Sequence, residues 1–266
     1  MTLLLLKVLL APALVVGTSL AGRRWGPQVA GVLVTLPIVA GPILVILLLE
    51  QGAAFAGRAA NASLLGLVGI GVFGVTFAAA ARRFGWALTL GLSWAAVLAV
   101  DLALHRVHLP VAVGLVVAVV ALQGAAALLR RHIADPVPRQ DTWPWWDLPA
   151  RAVATAALVL AVTGAAELLG PGLTGILTPF PIAVSVVCGF VLAQEGTTAA
   201  VVQLEGILRG MNGFAVFCCG VAVLLVRLPA AAAFGLATAA GIAVPLLAGL
   251  LSGRREPDRT GPPAPR

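Results

Sequence analysis

The sequence is poor in charged residues. Only 10% of the 266 residues are Asp, Glu, Lys or Arg, against roughly 25% in an ordinary soluble domain. Hydrophobic residues make up 61% of the chain, and the mean hydropathy is +1.06. So few charges cannot cover a water-exposed surface, so lipid must be the solvent of much of this chain. Because a helix satisfies its own backbone within a bilayer, we expect an all-α, polytopic membrane helix bundle.

The residue types that metal sites and many active sites need are also scarce. The three cysteines lie inside apolar runs, where they are expected to pack as small hydrophobic residues, and the three histidines lie outside those runs. The sequence has no metal-ligand spacing, no GxSxG motif and no nucleotide-binding loop. We therefore expect neither an enzyme nor a cofactor.

The charge that is present is mostly positive, with a net charge of +7. A basic balance of this kind can indicate nucleic-acid binding, but here the arginines form short clusters between apolar runs. That arrangement is typical of charges that set membrane topology. We expect membrane lipid as a partner and no nucleic acid.

The apolar runs predict nine membrane-spanning helices, each long enough for a hydrocarbon core of about 30 Å. Residues 2–20 could be mistaken for a secretion signal, but the only nearby cation, Lys7, is already inside the apolar run. We therefore keep this segment as the first span. The predicted spans cover residues 2–20, 28–50, 60–81, 86–104, 110–129, 150–168, 172–193, 204–226 and 229–251.

Two stretches differ in composition from the spans. Residues 130–149 combine prolines and charges with Trp143, Trp145 and Trp146, which predicts a linker at the membrane interface, where tryptophan is enriched. Residues 252–266 are polar and rich in proline, and we expect a disordered cytoplasmic tail.

The cations are distributed unequally between the two sides of the predicted bundle. Four cations fall on one side, namely Lys7, Arg58, Arg106 and Arg227. Ten follow spans 1, 3, 5 and 9 on the other side, namely Arg23, Arg24, Arg82, Arg83, Arg130, Arg131, Arg139, Arg151, Arg254 and Arg255. Because cytoplasmic loops carry the excess of Lys and Arg, this bias predicts an outside amino terminus and a cytoplasmic carboxy terminus.

The chain also resembles itself at an offset of 144 residues. Residues 7–102 and 151–246 align without a gap, and the matches include prolines and glycines as well as common apolar residues. Pro37 meets Pro181 and Gly52 meets Gly196, for example, since 181 − 37 and 196 − 52 are both 144. Shared composition explains matches of leucine with leucine, but it does not explain paired prolines and glycines through four helices.

This offset predicts two four-helix repeats joined by a linker helix. The first repeat covers residues 1–108, the linker helix and interfacial loop cover 109–149, and the second repeat covers 150–251. Because the second repeat begins five crossings after the first, and five is odd, the repeats must be inverted in the membrane. Inverted repeats are a known plan among transporters.

Prolines interrupt the second span of each predicted repeat at corresponding depths. The first repeat has Pro37 and Pro42, and the second has Pro179 and Pro181. Broken helices at matching places in two halves point to a central substrate path. The alternative is simple kinking for packing, because proline is common in membrane helices in any case.

Acidic and amide residues follow these broken spans. Glu50 and Gln51 in the first repeat match Gln194 and Glu195 in the second. They are expected near opposite membrane faces and could bind a cation or proton in turn. The alternative is an ordinary helix end followed by glycine, although an acid there opposes the helix dipole.

A polar stripe in span 8 gives further candidates for the path. Glu205 and Arg209 are four residues apart, which predicts an ion pair on one helix face, and Asn212 extends that face. Asn61 is the repeat partner of Glu205, and Asp101 is a weaker candidate late in span 4. The alternative is a structural pair that only neutralises itself.

The start of each repeat resembles the GlpM-like small bacterial inner-membrane proteins, which are four-helix chains of about one repeat. The resemblance is carried by the run LLLKVLL, by Ala30, Gly31 and Pro37, and in the second repeat by Gly175 and by the run TPFP at 178–181. It implies a fused, double-length relative in the bacterial inner membrane, and it implies no substrate.

These observations predict a transporter or channel-like permease for an unknown small solute or ion, with a path between spans 2, 3, 7 and 8. The alternative is a membrane scaffold or accessory protein of envelope assembly that transports nothing. A wet, closed-ended cavity among the polar groups would favour the first function, and a dry core would favour the second. Assembly into a homo-oligomer is open.

Overall fold

The computed structural model describes residues 2–25, 40–131, 133, 143–169 and 180–253 of the chain. These residues form nine α-helices and contain no β-strand. The helices are α1 (Thr2–Trp25), α2 (Ala40–Gln51), α3 (Ala53–Ala80), α4 (Trp86–Leu104), α5 (Val111–Arg130), α6 (Asp147–Leu169), α7 (Ile182–Glu195), α8 (Thr197–Leu224) and α9 (Ala230–Gly253).

Several sequence features lie outside the described residues. They include Pro37, Pro179, most of the interfacial linker, and the tail from Arg254 onwards; Ser252 and Gly253, assigned above to the tail, instead end α9. The start of the second span in each repeat, with Gly31 and Gly175, is outside as well. The side chain of Lys7 is also not described.

Five of the described helices are long and apolar enough to cross a membrane. They are α3, α4, α5, residues Asp147–Ala165 of α6, and α8. Of the shorter apolar helices, Gly41–Gln51 lies in α2 and Ile182–Glu195 is α7. An all-helical chain of this kind is compatible with an integral membrane protein, and the total of nine crossings stays a prediction.

The boundaries of α3 and α8 differ from the predicted ones. Both helices begin seven residues earlier than expected, at Ala53 rather than 60 and at Thr197 rather than 204. The chain turns on one glycine in each case, Gly52 at φ 84° and Gly196 at φ 88°. Such left-handed backbone is open to glycine because it has no Cβ, so no polar connector is needed.

The two longest helices, α3 and α8, pack against each other antiparallel. At one end the Thr197 hydroxyl donates to the Ala81 carbonyl oxygen over 3.0 Å. At the other end a Cβ built on Gly57 would lie 3.6 Å from the Ala222 carbonyl oxygen. Along the seam between these ends, Leu208 Cδ1 of α8 would lie 3.0 Å from a Cβ built on Gly74 of α3. The largest fully buried apolar side chains of the two helices are Phe73, Phe77, Phe217, Leu64, Leu204, Ile207 and Leu208.

The remaining helices surround this seam in matching pairs. Helix α5 packs against both α3 and α8. Helices α2 and α4 pack on α3, and α7 and α9 pack on α8. Helix α1 packs on α6, and both of them contact α7.

Contacts between helix ends place most of the arginines at one end of the bundle. Arg23 near the end of α1 pairs with Asp147 at the start of α6, and Thr197 at the start of α8 bonds Ala81 after α3. Arg130 at the end of α5 pairs with Glu205 of α8. We call this the arginine-rich end; it also carries Arg24, Arg82, Arg83 and Arg131 by chain adjacency.

Candidate functional site

A buried polar cluster lies at the arginine-rich end, where α1, α6 and α7 meet. At its centre is Asp147, whose side chain is fully buried in the first turn of α6. We name it the Asp147 cluster, made of Ser19, Arg23, Asp147, Arg151 and Gln194.

The Asp147 carboxylate is saturated by donors from three helices. Oδ2 accepts from Arg23 Nη2 of α1 at 2.6 Å and from Arg151 Nε at 2.9 Å. Oδ1 accepts from Gln194 Nε2 of α7 at 2.6 Å and from Arg151 Nε at 3.0 Å. Bonds of this kind to an ionised carboxylate are among the stronger hydrogen bonds in proteins, so Asp147 holds three helices together.

The two arginines of the cluster also contact aromatic rings. The Arg23 guanidinium lies 4.7 Å from the ring centroid of Trp143, and that of Arg151 lies 5.1 Å from the ring centroid of Phe190. Arg151 Nη1 further donates to the Ser19 hydroxyl at 3.3 Å. These contacts fix both cations inside the bundle although each carries a full charge.

A small polar cavity of about 30 Å³ adjoins the cluster. Its walls include Ser19, Arg23, Arg151, Glu195 and Gln203. This volume holds about one water molecule. Two buried polar atoms of the cluster, Arg23 Nε and Gln194 Oε1, find no hydrogen-bond partner among the described residues. The site is therefore polar and almost closed.

A second ionic group surrounds Glu205 in the third turn of α8. Glu205 is 2% exposed, and its Oε1 accepts from Arg130 Nε of α5 at 2.7 Å and pairs with Arg209 one turn along α8. The predicted pair of Glu205 and Arg209 is thus present, and Arg130 is an additional partner. Both arginines are about half exposed, at 56% and 43%.

Other predicted path residues are not brought together with these clusters. Glu50 and Gln51 are exposed at the end of α2. The Asn61 amide donates to the Leu109 carbonyl oxygen at 3.0 Å, and Asn212 bonds the carbonyl oxygens of Leu208 and Arg209 in its own helix. Asn212 therefore does not extend the ion pair.

Asp101 is a separate buried acid in α4. It is 6% exposed, and its Oδ1 would lie 3.0 Å from a Cβ built on Gly69 of α3. Its Oδ2 has no hydrogen-bond partner among the described residues. Of the predicted prolines, Pro42 lies in the first turn of α2 and Pro181 directly precedes α7.

Sequence reasoning missed the Asp147 cluster, and it counted Arg151 only among the cations that follow span 5. In the structure Arg151 lies inside α6 with a side chain only 3% exposed. One signal was available, since Asp147 and Arg151 have the same four-residue spacing as Glu205 and Arg209. Of the predicted residues, Gln194 belongs to the cluster and Glu195 lines its cavity.

Comparison with protein-family models, with curated proteins and with solved structures finds no match to this chain. Within the described residues, no group of three or more His, Cys, Asp or Glu side chains could hold a metal ion. The function therefore has to be argued from the two ionic clusters and the helix arrangement.

Proposed function

We propose that the chain is a multi-pass transporter or channel-like permease of the bacterial inner membrane, closed at its arginine-rich end by the Asp147 cluster. The observation that carries this proposal is the saturated, buried Asp147 carboxylate beside a polar cavity. Ionisable groups inside a membrane bundle are costly, and they commonly mark a solute or proton pathway.

The proposal includes two inverted four-helix repeats joined by α5. Support comes from the helix bounds, because α3 and α8 both have 28 residues and begin and end 144 positions apart. Gly52 and Gly196, also 144 apart, are the two glycines with positive φ among the described residues. Shared composition alone does not explain why both repeats have the same backbone turn at the same position.

The inverted sense of the repeats is supported by the contact between α3 and α8. These helices correspond at the 144-residue offset, yet they pack antiparallel. Two equivalent helices that run in opposite directions are what a two-fold axis in the membrane plane would produce. A solute path at the meeting of such halves is typical of secondary transporters.

Both proposed halves contribute to the closure. Ser19 and Arg23 come from α1 of the first half, whereas Arg151 and Gln194 come from the second, and Asp147 lies just before the second half in the first turn of α6. A movement of one half against the other would have to break these bonds. The cluster is therefore suited to act as a gate that opens when the halves separate.

One observation favours the alternative of a scaffold that transports nothing. Between α3 and α8, where the sequence predicted part of the path, the helices pack directly against each other, and Leu208 Cδ1 would lie 3.0 Å from a Cβ built on Gly74. Under that alternative the ionic clusters only fasten helix ends. Three further points stay proposals. They are a relationship to GlpM-like proteins, a small-solute substrate and assembly into a homo-oligomer.

Cysteine labelling distinguishes the two functions without knowledge of the substrate. Ser19→Cys places a thiol at the polar cavity, whereas Thr18→Cys places one at a neighbouring residue, 3% exposed, that does not line the cavity. If the cluster is a gate, a charged, membrane-impermeant thiol reagent should label Ser19→Cys from one side of the membrane. The same reagent should not label Thr18→Cys. The unsubstituted protein gives the background from its three native cysteines, of which Cys188 and Cys218 are buried and Cys219 is partly exposed.

The labelling should respond to the state of the membrane. We expect the rate at Ser19→Cys to change when the vesicles are energised, because a gate alternates between closed and open forms. Equal, background labelling of both variants under every condition would favour the scaffold.

A further inference from the structure

A large apolar groove lies between α4 and α6, with α7 as its floor. Its volume is about 730 Å³, which falls in the range of roughly 300–1,000 Å³ typical of small-molecule sites. Tryptophan, leucine and alanine side chains line it, and among the described residues only Ser185 and Gln194 add polar side chains.

Small side chains on α6 and α7 explain why the groove is hollow. Ala154, Ala157 and Ala161 follow one another at helical spacing on α6 and line one wall. On the floor, Gly189 approaches α4 so closely that an added Cβ would lie 3.0 Å from Leu90 Cδ1. Helices α4 and α6 both pack on α7, and the alanines leave the space between them unfilled.

Tryptophans define the two ends of the groove. Trp86 begins α4 and Trp146 precedes α6, so both lie at the arginine-rich end, 54% and 45% exposed. Deeper in the bundle, the Trp94 indole donates to the Ser185 hydroxyl at 2.9 Å and packs on Phe180. Because tryptophan prefers the headgroup level, the groove runs from the membrane interface into the hydrocarbon region.

An exposed arginine lies next to the mouth of the groove. Arg83 is in the turn that leads into Trp86, which lines the groove. The other arginine nearby, Arg151, lies behind the Phe190 wall, 5.1 Å from the ring centroid, and is paired with Asp147. The groove thus offers an apolar slot for a chain, with Arg83 beside its mouth for an anion.

We propose that this groove binds one acyl chain of an anionic phospholipid from the leaflet at the arginine-rich end, with the lipid phosphate held near Arg83. Basic sites between membrane helices are suited to anionic lipid headgroups. A polar solute would leave the apolar walls unmatched, and a neutral lipid would leave Arg83 without an anion. The site needs a membrane location only, so it does not depend on transport.

The binding test uses the full chain in detergent with phosphatidylglycerol or phosphatidylcholine, and native mass spectrometry counts the bound lipids. Ala157→Trp should fill the groove and abolish the tightly bound phosphatidylglycerol. Ala112→Trp, which places the same bulk at an exposed site on α5, should retain it. Arg83→Gln should remove the preference for phosphatidylglycerol, whereas Arg227→Gln, 144 residues further on and also exposed, should keep it.

A second measurement needs no substitution and covers the case in which Ala157→Trp fails to fold. Phosphatidylglycerol with a photoreactive acyl chain should crosslink to α4, α6 and α7 around the groove. Crosslinks spread evenly over the lipid-facing surface would overturn the proposal. Equal binding of both lipids would overturn it too, as would a change in oligomeric state on Ala157→Trp with the lipid count unchanged.

Discussion

Arg151 Nε lies 2.9 Å from Asp147 Oδ2, one turn along the same helix, and neither side chain is more than 3% exposed. The pair would be a local feature of α6 if Arg23 and Gln194 did not reach the same carboxylate from α1 and α7. Asp147 therefore pairs with two arginines at once and connects helices that are far apart in sequence.

The first prediction concerns the removal of this carboxylate. Asp147→Asn leaves Arg151 buried and Arg23 mostly buried without a counter-ion, which should cost about 3–5 kcal/mol of stability. Thermal unfolding of the detergent-purified protein measures the change. Glu50→Gln removes an exposed acid from α2 and should stay within about 0.5 kcal/mol of the unsubstituted protein. Equal melting temperatures for both variants would contradict the central role of Asp147.

The second prediction concerns the asymmetry of the Glu205 group. Glu205 is 2% exposed, but Arg130 and Arg209 are about half exposed. Losing both arginines strands a buried carboxylate, at a cost of about 3–5 kcal/mol, whereas Glu205→Gln leaves two cations that still reach solvent. The double variant Arg130→Gln with Arg209→Gln should therefore unfold at a lower temperature than Glu205→Gln. If Glu205→Gln unfolded at the lower temperature instead, the cations, and not the acid, would be the groups that depend on the ion pairs.

The third prediction concerns the two glycine turns. Gly52 has φ 84° and ψ 170°, and Gly196 has φ 88° and ψ −177°, a region that is open almost only to glycine. Gly52→Ala and Gly196→Ala should each destabilise the protein by about 1–3 kcal/mol. The controls are Gly91→Ala and Gly235→Ala, also 144 apart, where an added Cβ meets nothing within 4 Å. These should be neutral or slightly stabilising; a similar loss at all four sites would count against the backbone explanation.

The fourth prediction concerns the orientation in the membrane. Because the positive-inside bias predicts that the arginine-rich end lies in the cytoplasm, the two ends of the bundle should behave differently in reporter fusions. A phosphatase fused after Gly253 should be inactive, and one fused after His108, between α4 and α5, should be active in the periplasm. An active fusion after Gly253 would contradict the proposed topology and the inverted repeat together.

Sequence patterns predicted some helix bounds well and others poorly. Span 4 was predicted at 86–104, and α4 has these bounds, because charged and glycine residues bracket one apolar run. The starts of α3 and α8 were missed by seven residues, because the turn before each depends on one glycine dihedral angle. Residues 53–59, rich in alanine, gave no apolar signal that would have extended the helix.

Among the ionic contacts, a pair close in sequence was predictable, whereas pairs between residues far apart in sequence were not. The pair of Glu205 and Arg209 was predictable, since four-residue spacing on a helix brings side chains together. Arg130 is 75 residues from Glu205 and Arg23 is 124 residues from Asp147, so only the packing of helices unites them. The sequence around Asp147 is rich in proline, which is typical of a connector. The position of Asp147 inside the bundle was therefore not predicted.

The lengths of α3 and α8 have a consequence for the surrounding bilayer. Each has 28 residues and so measures about 42 Å, against a hydrocarbon core of about 30 Å. If both helices cross the membrane, they must tilt, project beyond the core or thicken the lipid around them. The thickness of the bilayer would then affect how α3 packs across α8. Lipids of different chain length should therefore change the stability of the bundle.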